Sequence, residues 1–418
     1  MKVLIVGGGA REHAIAWKAA RSHHSPELLI APGNAGTAEL GRNVEIDAED
    51  VDGLLEFALS ESVDLTIVGP EGPLAAGLVD RFGDFSLPVF GPTMSAARIE
   101  SSKAFAKEVM SAADVPTARA NVYTEFESAI GHIYASDPPF VVKADGLAAG
   151  KGVLIAHDRE TAREALHSMF IDRVFGSASD TVLVEEWMEG QEISVFAFLD
   201  GEYVSELAVA CDYKRIYDDD MGPNTGGMGS YSPPPFWNSE MEDAIRSQIM
   251  QPVANEMVKL GCPFRGILYG GIMLTEQGPR VFEFNCRLGD PEAQVVLPRL
   301  NTDLLDIVLA AINGRLSECR VEWSSDPWVG VVLASKGYPG TYETGVEVSR
   351  VPSDTDDSIV FHAGTRIHDE NTVTSGGRVL TATARGSDIS DARRRAYEVT
   401  NEIEFANAYY RTDIAASI

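Results

Sequence analysis

The segment Lys143-Ala144-Asp145-Gly146-Leu147-Ala148-Ala149-Gly150-Lys151-Gly152 ends one strand on a lysine and runs through a small-residue loop into the next. Its three glycines can lay backbone N–H groups over a polyphosphate while lysines neutralise the charge. It is not a Walker A loop. No G-x-x-x-x-G-K-[ST] is present, and Val153–Ala156, which follows, reads as a strand rather than a helix. The chain holds only 9 Lys against 25 Arg, so two lysines within ten residues argue against a plain hairpin.

Downstream, strand Val182–Val184 leads into Glu185-Glu186-Trp187-Met188-Glu189-Gly190-Gln191-Glu192. Backbone groups at such a strand-to-turn hinge can read an adenine, with an acid beyond it accepting ribose hydroxyls. A hairpin-like pair, Gly266–Leu274 and Arg280–Asn285, then carries the strongest chemistry. Period-two alternation puts Glu283, Asn285 and Arg287 on one face, with Phe282, Phe284 and Cys286 opposite. A carboxylate and an amide oxygen two residues apart suit a hard cation such as Mg²⁺, and Arg287 suits a carboxylate or a transferring phosphoryl group. A second glycine loop, Gly222-Pro223-Asn224-Thr225-Gly226-Gly227-Met228-Gly229, follows Asp212-Tyr213-Lys214-Arg215.

Upstream, short apolar runs end in Gly/Pro turns: Val3–Val6, Leu28–Ala31, Leu65–Val68 and Val89-Phe90, with helical patterns through Ala14–Ala20 and Leu54–Leu59. This predicts an open parallel α/β domain ending near Thr93–Glu100, its ligands at the carboxyl edge. Gly7-Gly8-Gly9-Ala10-Arg11-Glu12-His13 lacks the third glycine of G-x-G-x-x-G, because Glu12 stands there, so a nicotinamide cofactor is not expected. The turn could still offer N–H groups to an anion, with Arg11 beside it. After a helix at Ser101–Ala112 the pattern turns β-rich, with one helix at Thr161–Met169. A third region, from about Val321, alternates short strands with glycine turns.

Composition removes other classes. A net charge of −29 opposes nucleic-acid binding, and no apolar stretch approaches the ~18 residues of a membrane helix. Cys211, Cys262, Cys286 and Cys319 form no C-x-x-C pair, which leaves no zinc-knuckle or disulfide framework to expect. With no signal-peptide pattern at Met1–Gly7, the expected compartment is the cytoplasm.

Together these phrases resemble the ATP-grasp carboxylate–amine ligases, and more closely the glycinamide ribonucleotide synthetase family. Ala31–Thr37, Val68–Glu71, Lys143–Gly152, Gly222–Gly229, Glu283–Glu292 and Phe361–Thr365 carry the resemblance in family order along the whole chain. It implies an α/β chain of three parts: an N-terminal parallel-sheet domain (1–100), a two-part ATP-grasp domain (101–320, mobile lid about 115–190) and a small β-rich domain (321–418). It implies ATP as co-substrate with Mg²⁺ or Mn²⁺, glycine and 5-phosphoribosylamine as small-molecule substrates, and a monomer. On this reading Lys103, Lys143, Gly146, Gly150, Lys151 and Gly152 hold ATP phosphates, while Glu185, Glu186, Met188 and Glu192 hold adenosine. Glu283 and Asn285 bind the metal. Arg287, Asp212 and Lys214 serve the chemistry, and Gly226, Gly289 and Asp290 lie at the substrates. Gly9, Arg11, Gly33, Asn34 and Thr37 meet the sugar phosphate. Ala10, Tyr213 and Leu288 depart from the family's usual Gly, His and Phe. Gly271 stands where many ATP-grasp enzymes carry a further metal carboxylate, which leaves two protein ligands. Another ATP-grasp ligase and a non-catalytic nucleotide-binding module are the alternatives.

Overall fold

The structure, a computed structural model, describes residues 1–148 and 152–416. Gly150 and Lys151 lie outside the described residues.

Strands β1 (Lys2–Gly7), β2 (Glu27–Pro32), β3 (Arg42–Asn43), β4 (Leu65–Val68) and β5 (Val89–Phe90) form a parallel sheet in the order β3-β2-β1-β4-β5. Parallel strands are covered on both faces, which is why Val3–Val6 is an unbroken apolar run. Alternate residues enter different cores: Val3 and Ile5 pack with Ala14 and Ile15, while Leu4 and Val6 pack with Leu54 and Ala58. The sheet order reverses at β1, so the carboxyl ends of β1 and β4 frame a crevice, the usual ligand position in such sheets.

A four-stranded antiparallel sheet follows: Ala120–Tyr123, Val182–Glu186, Phe140–Ala144 and Val153–Ala156 in spatial order. Helices Phe126–Ala135 and Arg159–Phe170 close it over its own core of Ile133, Val142, Leu166 and Val184. The pattern predicts one helix here. Phe126–Ala135 escapes it because only Ala129 and Ile133 of that helix are buried. The helix expected at Ser101–Ala112 begins instead at Lys103. Ser102 is its N-cap, with Oγ accepting from the Phe105 N–H, and a separate helix, Met94–Ser101, precedes it.

The large sheet holds the hairpin Arg265–Thr275 and Gly278–Asn285, then Gln191–Asp200, Ala208–Asp212 and Gly229–Ser232. It continues through Trp328–Ser335, Arg378–Arg385 and Ser358–His362, because Gly229–Ser232 pairs antiparallel with Trp328–Ser335. The third region therefore extends the second region's sheet. Its helix Ile389–Glu402 is missed by the strand-and-turn pattern. No helix among the described residues is long and apolar enough to cross a membrane.

Candidate active site

A cleft of about 350 Å³ opens where the first sheet's carboxyl edge, the four-stranded sheet and the large sheet meet. Glu283 and Asn285 reach it from the end of Gly278–Asn285. The alternation that pairs them fails at Phe282. Gly271 registers with Glu283 and Ile272 with Val281, so Phe282 is the extra residue of a bulge. Its ring leaves the Phe284 and Cys286 core and lines the cleft beside Glu283. A Cβ on Gly271 would stand 2.7 Å from the Phe282 ring, so a carboxylate there is excluded without moving it. Among the described residues, neither Glu283 nor Asn285 has a hydrogen-bond or ion-pair partner for its side chain. Two hard oxygen donors left unpaired at a cleft fit a divalent cation.

Arg287 lies in the same cleft, clamped by Glu71 Oε2 at 3.1 Å and Glu100 Oε1 at 2.8 Å. Burial favours the neutral form of both acids, yet Arg287 and Arg11 hold Glu71 down at about 2. At Glu100 burial wins and its carboxyl is raised. Glu100 also accepts the Cys286 N–H, fixing the turn that aims Arg287. Glu71 falls within a family phrase, whereas nothing in the sequence singles out Glu100.

The lysines converge from two sides. Lys143, on strand Phe140–Ala144 of the four-stranded sheet, donates to the Phe282 carbonyl at 2.9 Å and pairs with Glu185 Oε2 at 3.0 Å. It therefore joins that sheet to the large one. Lys103 donates to the Gly146 carbonyl, and Asp145 accepts from the Ala104 N–H and Ser102 Oγ, tying the glycine loop to the helix. Lys107, one turn beyond Lys103, pairs with Glu185 Oε1 at 3.4 Å, and burial lowers its ammonium to about 8. Its signal was available: the i, i+4 spacing from Lys103 in a lysine-poor chain.

A neighbouring cavity of about 220 Å³ shares Lys143, Glu185, Lys214 and Glu283 with the cleft and adds Trp187, Met188 and Glu192. Met188 is buried against Met273 and Phe282. Glu186 turns its carboxylate away, onto Arg119 at 2.7 Å and Arg280 at 2.5 Å. Lys214 bridges Asp212 Oδ1 and Glu192 Oε2, each at 2.8 Å. Glu185 Oε1 is buried with Lys107 as its ion-pair partner at 3.4 Å and no closer hydrogen bond among the described residues.

At the other end lie Gly226, Gly289 and Asp290. Arg378, from the third region, pairs with Asp290 Oδ2 at 3.1 Å and donates to the Gly226 carbonyl at 2.7 Å, stapling the second glycine loop across the cleft. Gly289 has no room for a Cβ, because the Glu292 carboxylate sits against it.

Four expected residues are not brought to the cleft. Gly9 donates its N–H to Glu12 Oε2 at 2.7 Å, and Arg11, which does line the cleft, holds Glu12 Oε1 at 2.6 Å. Glu12 thus fills the turn left by Gly7 and Gly69 with an internal carboxylate, where an anion was expected. Gly33 adopts φ +74° with no room for a Cβ beside Asn43 and Thr37. Thr37 Oγ1 is spent on Asn34 and Asn43. Asn34 Nδ2 donates to the Gly8 and His362 carbonyls, and its Oδ1 accepts from the Gly36 and Thr37 N–H groups. Asn34→Ala is expected to cost about 2–4 kcal/mol, since several buried groups lose partners worth ~1 kcal/mol or more each. Urea unfolding checks this, with substrate KM values staying within about twofold. A large KM rise at unchanged stability would place a substrate at Asn34 instead.

Two sheets closing on a lysine-lined cleft, with an acid–amide pair on the base strand, define the ATP-grasp class. The chain belongs to the phosphoribosylglycinamide synthetase family: its N domain matches residues 1–100, its ATP-grasp (A) domain 101–293 and its C domain 328–417. The phosphoribosylamine–glycine ligase of Allochromatium vinosum is 48% identical, over 99% of this chain and 98% of that one. That of Caldanaerobacter subterraneus subsp. tengcongensis is 46% identical over 100% of both. The crystal structure of the Thermotoga maritima enzyme superposes with a TM-score of 0.87 at 34% identity, covering 99% of this chain and 100% of that one. The biotin carboxylase domain of Hydrogenobacter thermophilus 2-oxoglutarate carboxylase shares the fold, with a TM-score of 0.75 at 16% identity over 98% of this chain and 91% of that one.

Proposed function

We propose that this chain joins glycine to 5-phosphoribosylamine at the expense of ATP, giving glycinamide ribonucleotide, ADP and phosphate through glycyl phosphate. The carrying observation is the convergence of Lys103, Lys143, Arg287, Glu283 and Asn285 on one cleft. Phosphoryl transfer needs positioning and charge neutralisation more than a protein nucleophile, and this site supplies the cations for it.

On this reading the triphosphate lies along Lys103 and Lys143 beside Gly146 and Gly152, with adenine in the smaller cavity beside Met188 and the Glu186 backbone. Glu185 Oε1, held by Lys107 only at 3.4 Å, accepts from the adenine amino group, and Glu192 takes the ribose. Glu283 and Asn285 would hold Mg²⁺ (or Mn²⁺), which when bound neutralises phosphate oxygens. Arg287 faces the glycine carboxylate as its oxygen attacks the γ-phosphorus, with Asp212 and Lys214 across the cleft and Gly289 beside it. Phosphoribosylamine enters at Gly226 and Asp290. The lid, about 115–190, closes over the acyl phosphate and keeps water from it. The enzyme acts as a cytoplasmic monomer.

With Mg²⁺ and ATP, glycinamide ribonucleotide is expected only when glycine and freshly generated phosphoribosylamine are both supplied, with ADP formed in equal amount. Turnover with a different acid, or with a different sugar amine in preference to phosphoribosylamine, would keep the ATP-grasp mechanism and overturn the substrates.

A further inference from the structure

Glu292 is a buried acid, 3% exposed, on the wall of the cleft. Its Oε1 accepts from Ser194 Oγ at 3.0 Å, and Ser194 in turn meets Tyr269 Oη at 2.8 Å. Its carboxylate packs against Gly289, where the glycine substrate is placed. The charged and titratable groups facing it are Asp212, Lys214, Cys211 and Tyr269. Lys214, the cation in this set, already bridges Asp212 and Glu192. Among the described residues, no Lys, Arg or His nitrogen lies within 4 Å of either Glu292 oxygen. A buried carboxylate with a hydroxyl donor and no cation in contact favours binding a proton. Asp212, by contrast, is paired with Lys214 at 2.8 Å.

We propose that Glu292 is the base of the second half-reaction, resting on the ligation proposed above. The amine lone pair of phosphoribosylamine forms the C–N bond to the carbonyl carbon of glycyl phosphate. The C–O bond to phosphate breaks, and phosphate leaves with that electron pair. The surplus proton on nitrogen passes to the Glu292 carboxylate and then to solvent. Tyr269 and Ser194, hydrogen-bonded in series to Oε1, orient the carboxylate. Burial and the nearby Asp212 charge, outweighing Lys214, raise this carboxyl to about 7, close to the working pH at which a base is most effective.

Glu292→Gln keeps shape and the Ser194 hydrogen bond but cannot take the proton. With ATP and glycine alone, glycyl phosphate is trapped by hydroxylamine as the hydroxamate. The variant is expected to retain hydroxamate formation within about tenfold, and to lose amide formation to phosphoribosylamine by about 10²–10⁴-fold. Ser194→Ala removes a hydrogen bond that favours the ionised carboxylate. The acid limb of kcat/KM for phosphoribosylamine should therefore move to higher pH. A purely structural Glu292 would lower the amount of active enzyme and leave that limb in place. Equal losses of hydroxamate and amide in Glu292→Gln, unchanged amide formation, or an unmoved limb in Ser194→Ala would each overturn the base. A wild-type enzyme that forms no glycyl hydroxamate would overturn the ligation itself.

Discussion

Arg287→Met is expected to lower kcat/KM by about 10²–10³-fold and to destabilise the fold by about 3–5 kcal/mol at neutral pH. The side chain is 17% exposed and sits between Glu100, 7% exposed, and Glu71, 30% exposed. Removing it leaves two carboxylates facing one another, with Arg11 a distant partner of Glu71 at 3.8 Å. Leaving a buried charge uncompensated costs far more than the net worth of the pair. The pH dependence follows from Glu71. Its carboxyl is depressed to about 2 from an ordinary 4.5, so its stabilisation is fully present above 4.5 and is lost as pH falls toward 2. Glu100 is already raised by burial, and without Arg287 both acids rise further. The variant's deficit should be largest at neutral pH and shrink as pH falls below 4.5, where protons replace the missing cation. Urea midpoints of both proteins at neutral and acid pH check this. Adding Glu71→Gln to Arg287→Met should recover part of the loss. A deficit that ignores pH would make Arg287 a packing residue.

The parallel sheet was legible because its strands are buried on both faces and end in Gly/Pro turns; Leu65–Val68 and Val89–Phe90 appear with the boundaries read from the pattern. Glu283 and Asn285 were legible because they lie two apart on one strand and both reach the cleft. Phe282 was not, since a bulge depends on the partner strand and local alternation is blind to it. Glu100 and Arg378 were hidden for a similar reason. Each meets the site across a long stretch of chain, Glu100 to Arg287 and Arg378 to Asp290. Asn34 and Thr37 show another limit. A polar, glycine-rich phrase reads as a binding loop, but the sequence does not show that Asn34 also ties the first domain to the strand ending at His362, or that Thr37 bonds Asn34 and Asn43.

Glu283→Gln carries the second large effect: a fall of about 10²–10³-fold in kcat/KM for ATP, with a raised half-saturating Mg²⁺ concentration. The size follows from the shortage of alternatives. Gly271 cannot supply a carboxylate while Phe282 occupies the bulge, and Lys214 holds Asp212 and Glu192. Glu283 and Asn285 are then the cleft carboxylate and amide with no hydrogen-bond or ion-pair partner at any side-chain oxygen among the described residues. Glutamine keeps one neutral oxygen, so metal affinity should weaken without disappearing, and excess Mg²⁺ should restore part of the rate. Lys103 gives an independent readout. Burial lowers its ammonium and Glu283 partly restores it, so the variant should hold Lys103 less firmly charged and weaken ATP binding further as pH rises. A variant with the wild-type Mg²⁺ half-saturation would remove Glu283 from the metal site, however large its loss of rate.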